Sequence, residues 1–164
     1  MRYNLIRKMD ISNGPGVRVS IFMQGCAFHC KNCFNPETWD FTAGKEFNDD
    51  TIKEVLDLCD KKQIKGLSIL GGEPMHPNNQ EGTAKLAKAF KEKFPDKTVW
   101  MWSGFKFDQD LKDKEAMKYV DVLVDGTYTD ELRNPTLKWK GSSNQRVIDV
   151  QKSLKENDVV LFDK

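Results

Sequence analysis

No stretch of this sequence is apolar for long enough to cross a bilayer, so a membrane-spanning helix is not expected. The first residues, MRYNLIRKMDISNGPG, lack the continuous apolar core of a signal peptide, and the expected compartment is the cytoplasm. An excess of one charge is missing too. Lys and Arg number 26 against 25 Asp and Glu, a net of +1. That balance gives no general attraction for nucleic acid, so neither nucleic acid nor membrane is an expected partner. Repeats, low-complexity tracts and linkers are absent, so residues 1–164 are expected to form a single domain. Cysteine is scarce and unevenly placed. Of four cysteines, three lie in QGCAFHCKNCFN, Gln24 to Asn35. That crowding does not resemble a secreted disulfide framework. Crowded thiols in a reducing compartment more often hold metal or do redox work.

What is present alternates between strand and helix. NGPG (Asn13–Gly16) is a turn signal, and Val17-Arg-Val-Ser-Ile-Phe-Met after it reads as a strand running into the cysteine loop. Asn48 caps a helix, with Asp49 and Asp50 at its positive end and Ile52, Val55, Leu56 and Cys59 on one face. Gly66–Leu70 reads as a buried strand ending in Gly71-Gly72-Glu73-Pro74. A second helix is expected over Gln80–Phe94. A third strand over Thr98–Trp102 ends at Ser103-Gly104. A third helix is expected over Asp108–Lys118, with Leu111 and Met117 in the core. A fourth strand, Val120–Val124, ends at Asp125-Gly126. Gly141-Ser-Ser-Asn reads as a turn, with strands expected at Arg146–Val150 and Val159–Phe162. Alternation of this kind implies right-handed βαβ units, an α/β fold and a parallel sheet. Chemistry in such sheets collects at the C-terminal ends of the strands. The cysteine loop, the GGEP turn, the SG turn and the DG turn all fall there.

The spacing Cys26-x3-Cys30-x2-Cys33 offers three soft thiolate ligands, which suit zinc or iron–sulfur. Structural zinc takes four protein ligands. His29 lies between two of the thiols and reads as an exposed loop histidine. Cys59 shares the apolar register of its helix and reads as a small core residue. A 4Fe–4S cluster needs no fourth ligand from the chain: three thiolates leave one iron open to bind a substrate, whereas electron carriers cover every iron.

A C-x3-C-x2-C loop after one strand, followed by GGE after the next, resembles the radical S-adenosylmethionine superfamily. The resemblance implies that Cys26, Cys30 and Cys33 hold a 4Fe–4S cluster whose open iron binds the amino and carboxylate groups of S-adenosylmethionine. An electron from the cluster then breaks the C5′–S bond and gives methionine and a 5′-deoxyadenosyl radical; the radical chemistry belongs to the cofactor. Gly71 and Gly72 let backbone approach a ligand closely, and Glu73 with nearby carbonyls can accept from the methionine ammonium. An aromatic residue often precedes the last cysteine in this superfamily. Here Asn32 stands in that place and the aromatic follows as Phe34. Adenosine contact is therefore carried to the stretch Asn32, Cys33, Phe34.

NGPG, GC…C..C(F)NPETWD, GGEP.HP, W.WSG(F), VDVLVDG and W.GSSNQR together resemble the activating component of anaerobic (class III) ribonucleotide reductase. That resemblance implies a shortened, open, partial β/α barrel with a mostly parallel sheet. It implies a partner, the glycyl-radical large subunit of the reductase, on which the adenosyl radical generates a glycyl radical, and a flavodoxin-like reductant. An activase for another glycyl-radical enzyme, such as a formate acetyltransferase, shares the first motifs. A zinc or iron–sulfur module without catalysis is the alternative from another class. Trp39, Trp100 and Trp102 read as core or rim packing, and His76 as a polar loop residue. Asp125 closes the fourth strand where a ligand could lie. Thr127 follows Asp-Gly where relatives often carry Lys, so no lysine contact is carried over. Arg133, Lys138, Lys140 and Arg146 surround the GSSN turn, as a solvated loop or as a docking surface for the reductase.

Overall fold

Two strands open the chain, β1 (Arg2–Asp10) and β2 (Val17–Gln24), joined by the NGPG turn and paired antiparallel. The structure, a computed structural model, describes residues 1–33 and 35–162. Next come β3 (Lys45–Glu46), α1 (Asp49–Cys59), β4 (Ile64–Gly71), α2 (Gln80–Lys93), β5 (Thr98–Ser103), β6 (Val122–Asp125), β7 (Arg146–Asp149) and α3 (Val150–Glu156). The sheet runs in the order β3-β1-β2-β4-β5-β6-β7. Its centre, β2-β4-β5-β6, is parallel, and both flanks are antiparallel. The fold is thus α/β with a mixed, unclosed seven-stranded sheet.

Period-two alternation gives the central strands two different faces. Val19, Ile21 and Met23 of β2, Leu67 and Ile69 of β4, and Val99 and Met101 of β5 join Ile52, Val55, Leu86 and Phe90 of the helices in one apolar core. Asn48 caps α1 as expected: its side chain accepts from Thr51 N (3.2 Å), and Thr51 Oγ1 accepts from Asn48 N (3.1 Å). Cys59 is fully buried in this core, and burial pushes its thiol up to about 12.

The opposite face is more polar. Arg18 is fully buried there, and among the described residues no carboxylate forms an ion pair with it, although Asp121 and Asp10 act on its charge from farther off. Its guanidinium instead donates to Ser68 Oγ (2.9 Å), Thr98 Oγ1 (3.0 Å) and the carbonyls of Pro15 (3.2 Å), Leu67 (3.1 Å) and Thr98 (2.8 Å). Burial lowers its pKa to about 10. Ser68 Oγ donates in turn to Asn13 O (2.6 Å), so Arg18 and Ser68 hold the NGPG turn against the sheet. Trp100 is buried on this face and meets Trp139 edge-on at 5.4 Å.

Several expectations need correction. β1 is a strand that sequence reasoning did not foresee, and its pairing with β2 shifts register between Tyr3 and Leu5 and between Arg7 and Asp10. The expected third helix is a π turn over Phe107–Leu111 and a separate 3-10 turn over Glu115–Lys118, divided at Lys114, whose backbone is extended. Leu111 and Met117 are nevertheless buried. The fourth strand starts at Val122, because Asp121 is engaged with β5 through its N–H to Val99 O (2.9 Å) and its carboxylate to Val99 N (2.8 Å). β7 stops at Asp149, whose side chain caps α3 at Lys152 N (3.1 Å). Val159–Phe162 forms no strand; it makes a single bridge, Leu161 to Ile148.

Candidate functional site

The cysteine loop is held at its root by main-chain contacts. Gln24, buried at the end of β2, donates through Nε2 to the carbonyls of Glu37 (3.0 Å) and Asp40 (2.8 Å). Gly25 N donates to Thr38 O (2.6 Å) and Cys26 N to Trp39 O (3.1 Å). The returning chain therefore closes a ring behind the three cysteines. The GGE turn locks into the same root. Gly71 has a φ of +108°, in the left-handed region that favours glycine. Gly72 N donates to Met23 O (2.9 Å), and Glu73 N to Gly25 O (2.8 Å). A Cβ on Gly72 would stand 2.5 Å from Gly25 O and 2.8 Å from Thr38 O. The glycine is thus required by the approach of one loop to another. Asn79, also buried, joins Gln24 O (3.2 Å) to Glu73 O (3.0 Å) through Nδ2.

Glu73 is 2% exposed. Its carboxylate accepts from Met75 N (2.9 Å), Ser103 Oγ (2.7 Å) and Gly104 N (2.7 Å). Burial pushes the carboxyl up to about 7, against the pull of those donors. No cation offsets the burial, because the donors are neutral. Glu73 thereby fastens the β4 exit to the β5 exit. A carboxylate has about four acceptor positions, so a free position remains beside the three donors.

Cys26, Cys30 and Cys33 line one cavity of about 540 Å³, together with Gly71, Gly72 and Glu73. Among the described residues, no three His, Cys, Asp or Glu side chains converge as they would on a single metal ion. The thiols instead share the wall of a space wide enough for a larger group. Asn35 N donates to Cys33 Sγ (3.4 Å), and main-chain N–H groups of Phe28 and His29 favour the thiolate of Cys26, as that of Tyr128 favours the thiolate of Cys30. Burial raises the pKa of the Cys26 and Cys30 thiols, and these N–H groups work against it. Donors aimed at sulfur favour thiolate, the form that binds iron. The donor set and the cavity fit an iron–sulfur cluster.

Comparison with known proteins agrees with that chemistry. The 4Fe–4S single cluster domain family matches residues 12–148. An anaerobic ribonucleoside-triphosphate reductase-activating protein of Enterobacteria phage T4 is 43% identical over 148 residues, covering 90% of this chain and 93% of the relative. Proteins of the same name from Haemophilus influenzae and Escherichia coli (strain K12) are 38% and 37% identical. They cover 88% and 90% of this chain, and 96% and 97% of their own lengths. The chain belongs to the family of anaerobic ribonucleoside-triphosphate reductase-activating proteins.

Other candidate residues fall in different places. Asn32 adopts the left-handed region (φ 56°), which Asn tolerates better than most residues, and its exposed side chain donates to Asp130 Oδ2 (3.0 Å). It does not line the cavity. Phe34 lies outside the described residues. His29 is exposed and stacks on Trp39 at 4.5 Å. Trp39 and Trp102 are on the cavity wall, and Trp102 Nε1 donates to Trp139 O (2.8 Å). Asp125 is completely buried, and its carboxylate is taken up by Arg146 Nε (3.0 Å), Arg146 Nη2 (2.6 Å) and Phe107 N (2.8 Å). Arg146 also reaches Asp108 (2.8 Å). The hydrogen bonds to Asp125 raise the guanidinium pKa, and Asp108 adds to the effect. Arg146 therefore serves an ion pair inside the protein. Arg133 and Lys140 line the cavity, while Lys138 lies over the Trp139 ring at 5.4 Å. Sequence reasoning missed Asn79, which carried no signal, and the service of Ser103 and Gly104 to Glu73. The SG turn had marked the position of the latter pair without revealing its partner.

Proposed function

We propose that this protein activates an anaerobic ribonucleotide reductase by generating a glycyl radical on it. The observation that carries the reading is the single cavity shared by Cys26, Cys30, Cys33 and the GGE turn. Its relatives' name supplies the partner. Cys26, Cys30 and Cys33 would hold a 4Fe–4S cluster, and S-adenosylmethionine would bind beside it. When bound, the cluster supplies the electron that cleaves S-adenosylmethionine.

The chain's own residues do the positioning. Gly71 and Gly72 bring the β4 exit against the root of the cysteine loop, and Glu73 holds the β5 exit in register. The carbonyls of the turn and the remaining acceptor position of Glu73 suit an ammonium group. Adenosine contact belongs to the Asn32–Phe34 stretch or to the aromatic wall of Phe28, Trp39 and Trp102. Residues 1–164 would act as one domain, a shortened open barrel of the radical S-adenosylmethionine type, in the cytoplasm and with a flavodoxin-like donor. No helix among the described residues is long and apolar enough to cross a membrane.

Anaerobic reconstitution tests the reading. The protein should take up about one 4Fe–4S cluster and form 5′-deoxyadenosine on reduction. Mixed with the cognate reductase, it should give a glycyl-radical EPR signal. Stoichiometric zinc without cleavage of S-adenosylmethionine would sink the proposal. A signal from a formate acetyltransferase in place of the reductase would move it to another partner.

A further inference from the structure

The sheet is uncovered along most of its β1 edge. β3 pairs with β1 only at Arg2 and Tyr3. From Asn4 to Asp10, no described residue takes up the main-chain groups on that side. An open edge offers a row of N–H and C=O groups to another strand. This one is also apolar. Leu5, Met9 and Ile11 are 36%, 66% and 75% exposed, three of the six large apolar side chains exposed among the described residues. It is cationic as well. Arg7 and Lys8 form no ion pair among the described residues. Asp10, the acid of this strand, is buried and already accepts from Ser12 N (2.8 Å), Asn13 Nδ2 (2.7 Å) and Ser20 Oγ (2.6 Å). Charge alone often guards a free edge, but a guarded edge does not also expose apolar side chains. The edge runs into the candidate site. Leu5 stands opposite Phe22 and Arg7 opposite Ser20, so they share one face of the sheet. The Arg7 guanidinium lies over the Phe22 ring at 4.9 Å, and Arg7, Ser12, Asn13 and Phe22 line the cavity that the three cysteines share.

We infer that the free edge of β1, from Asn4 to Asp10 with Ile11 beyond it, is a docking strand for the partner reductase: an extended, acidic segment of that partner adds to the sheet here and leads the adjoining chain past Arg7 into the cavity. The identity of the partner rests on the functional reading above. Main-chain bonds hold the added segment, Leu5, Met9 and Ile11 take its apolar side chains, and Arg7 and Lys8 take its carboxylates. A second copy of this chain is a poorer occupant. Antiparallel self-pairing centred on this segment sets Arg7 and Lys8 against their own counterparts, and like charges placed opposite each other destabilise a strand pair.

Titration of the full-length protein with the cognate reductase tests the inference. Lys8→Glu and Met9→Ser change surface residues that do not line the cavity. Each should raise the dissociation constant several-fold and raise the reductase concentration that half-saturates glycyl-radical formation by the same factor. Formation of 5′-deoxyadenosine without reductase should stay at the wild-type rate in both. Arg7→Glu should weaken binding further. Added salt should weaken wild-type binding more than binding by Lys8→Glu. Lys152→Glu, on α3 after β7 at the other edge of the sheet, is the control and should bind as the wild type does. Unchanged affinity in Lys8→Glu and Met9→Ser overturns the inference. So does altered self-association in sedimentation with unaltered affinity for the reductase, which gives the edge to a second copy. Wild-type protein that cleaves S-adenosylmethionine yet does not bind the reductase is a different result, and it removes the reductase reading itself.

Discussion

The C-terminal rim of the sheet and its helix-covered face use the same residue types to opposite ends. On the helix side, Cys59 packs with Val55 and Ile52 as a small apolar group, its thiol held protonated by burial. On the rim, Cys26, Cys30 and Cys33 face a cavity, and Asn35 N donates to the sulfur of Cys33. Acids follow the same rule of environment. Asp125 meets a guanidinium, whereas Glu73 meets only neutral donors and holds its proton to about 7. Surroundings decide the chemistry, and the fold decides the surroundings.

The sharpest way to break the contrast is to remove a rim thiol. Cys26→Ala, Cys30→Ala and Cys33→Ala should each abolish 5′-deoxyadenosine formation, measured by chromatography after reduction. Retention of activity in any one would move the ligand set elsewhere. Next in size is Arg146→Met, which strands a buried charge on Asp125. It should cost about 3 kcal/mol in urea unfolding, and Asp125→Asn in the same chain should recover part of the loss. Glu73→Gln turns one acceptor into a donor facing donors, at a cost of about 1–3 kcal/mol.

The same carboxyl predicts a pH dependence. Its ordinary value is 4.5 and its folded value is about 7. The raised value means that its contribution is complete in acid and is lost as pH rises through about 7. Stability relative to Glu73→Gln should therefore fall between about pH 4.5 and 7 and level off above; a flat difference would show that the site is wetter than its burial implies. Smallest is Cys59→Ala. It should cost roughly 1 kcal/mol of stability and leave the cluster intact, and loss of the cluster would erase the contrast between rim and face.

Legibility in the sequence follows the range of the contacts. β2, β4 and β5, the two long helices and the rim position of the cysteine and GGE turns showed in local pattern, because hydrophobic period and turn chemistry are local. β1 stayed hidden because an apolar pair and a charged pair, Leu5-Ile6 and Arg7-Lys8, stand where alternation would show. The π turn stayed hidden because its bonds, Leu111 N to Lys106 O (3.2 Å) and Lys112 N to Phe107 O (2.8 Å), span five residues, a rare pattern whose apolar spacing reads as ordinary helix. The three donors to Glu73 and the bond from Gln145 Nε2 to Gly126 O (3.0 Å) come from separate elements. No local window displays them, although GSSN was readable as a turn.

With Cys59 sealed in the core, three cysteines stay on the cavity wall, Cys26 buried and Cys30 and Cys33 half-buried. In protein without a cluster, an oxidised pair within the loop would leave the third thiol with no reachable partner among the described cysteines, since exchange requires an accessible thiolate. Its remaining routes are a stepwise oxidised sulfur or a bridge to a second molecule. Oxygen-damaged protein should then accumulate as covalent pairs that reductant separates, a signature visible on a non-reducing gel.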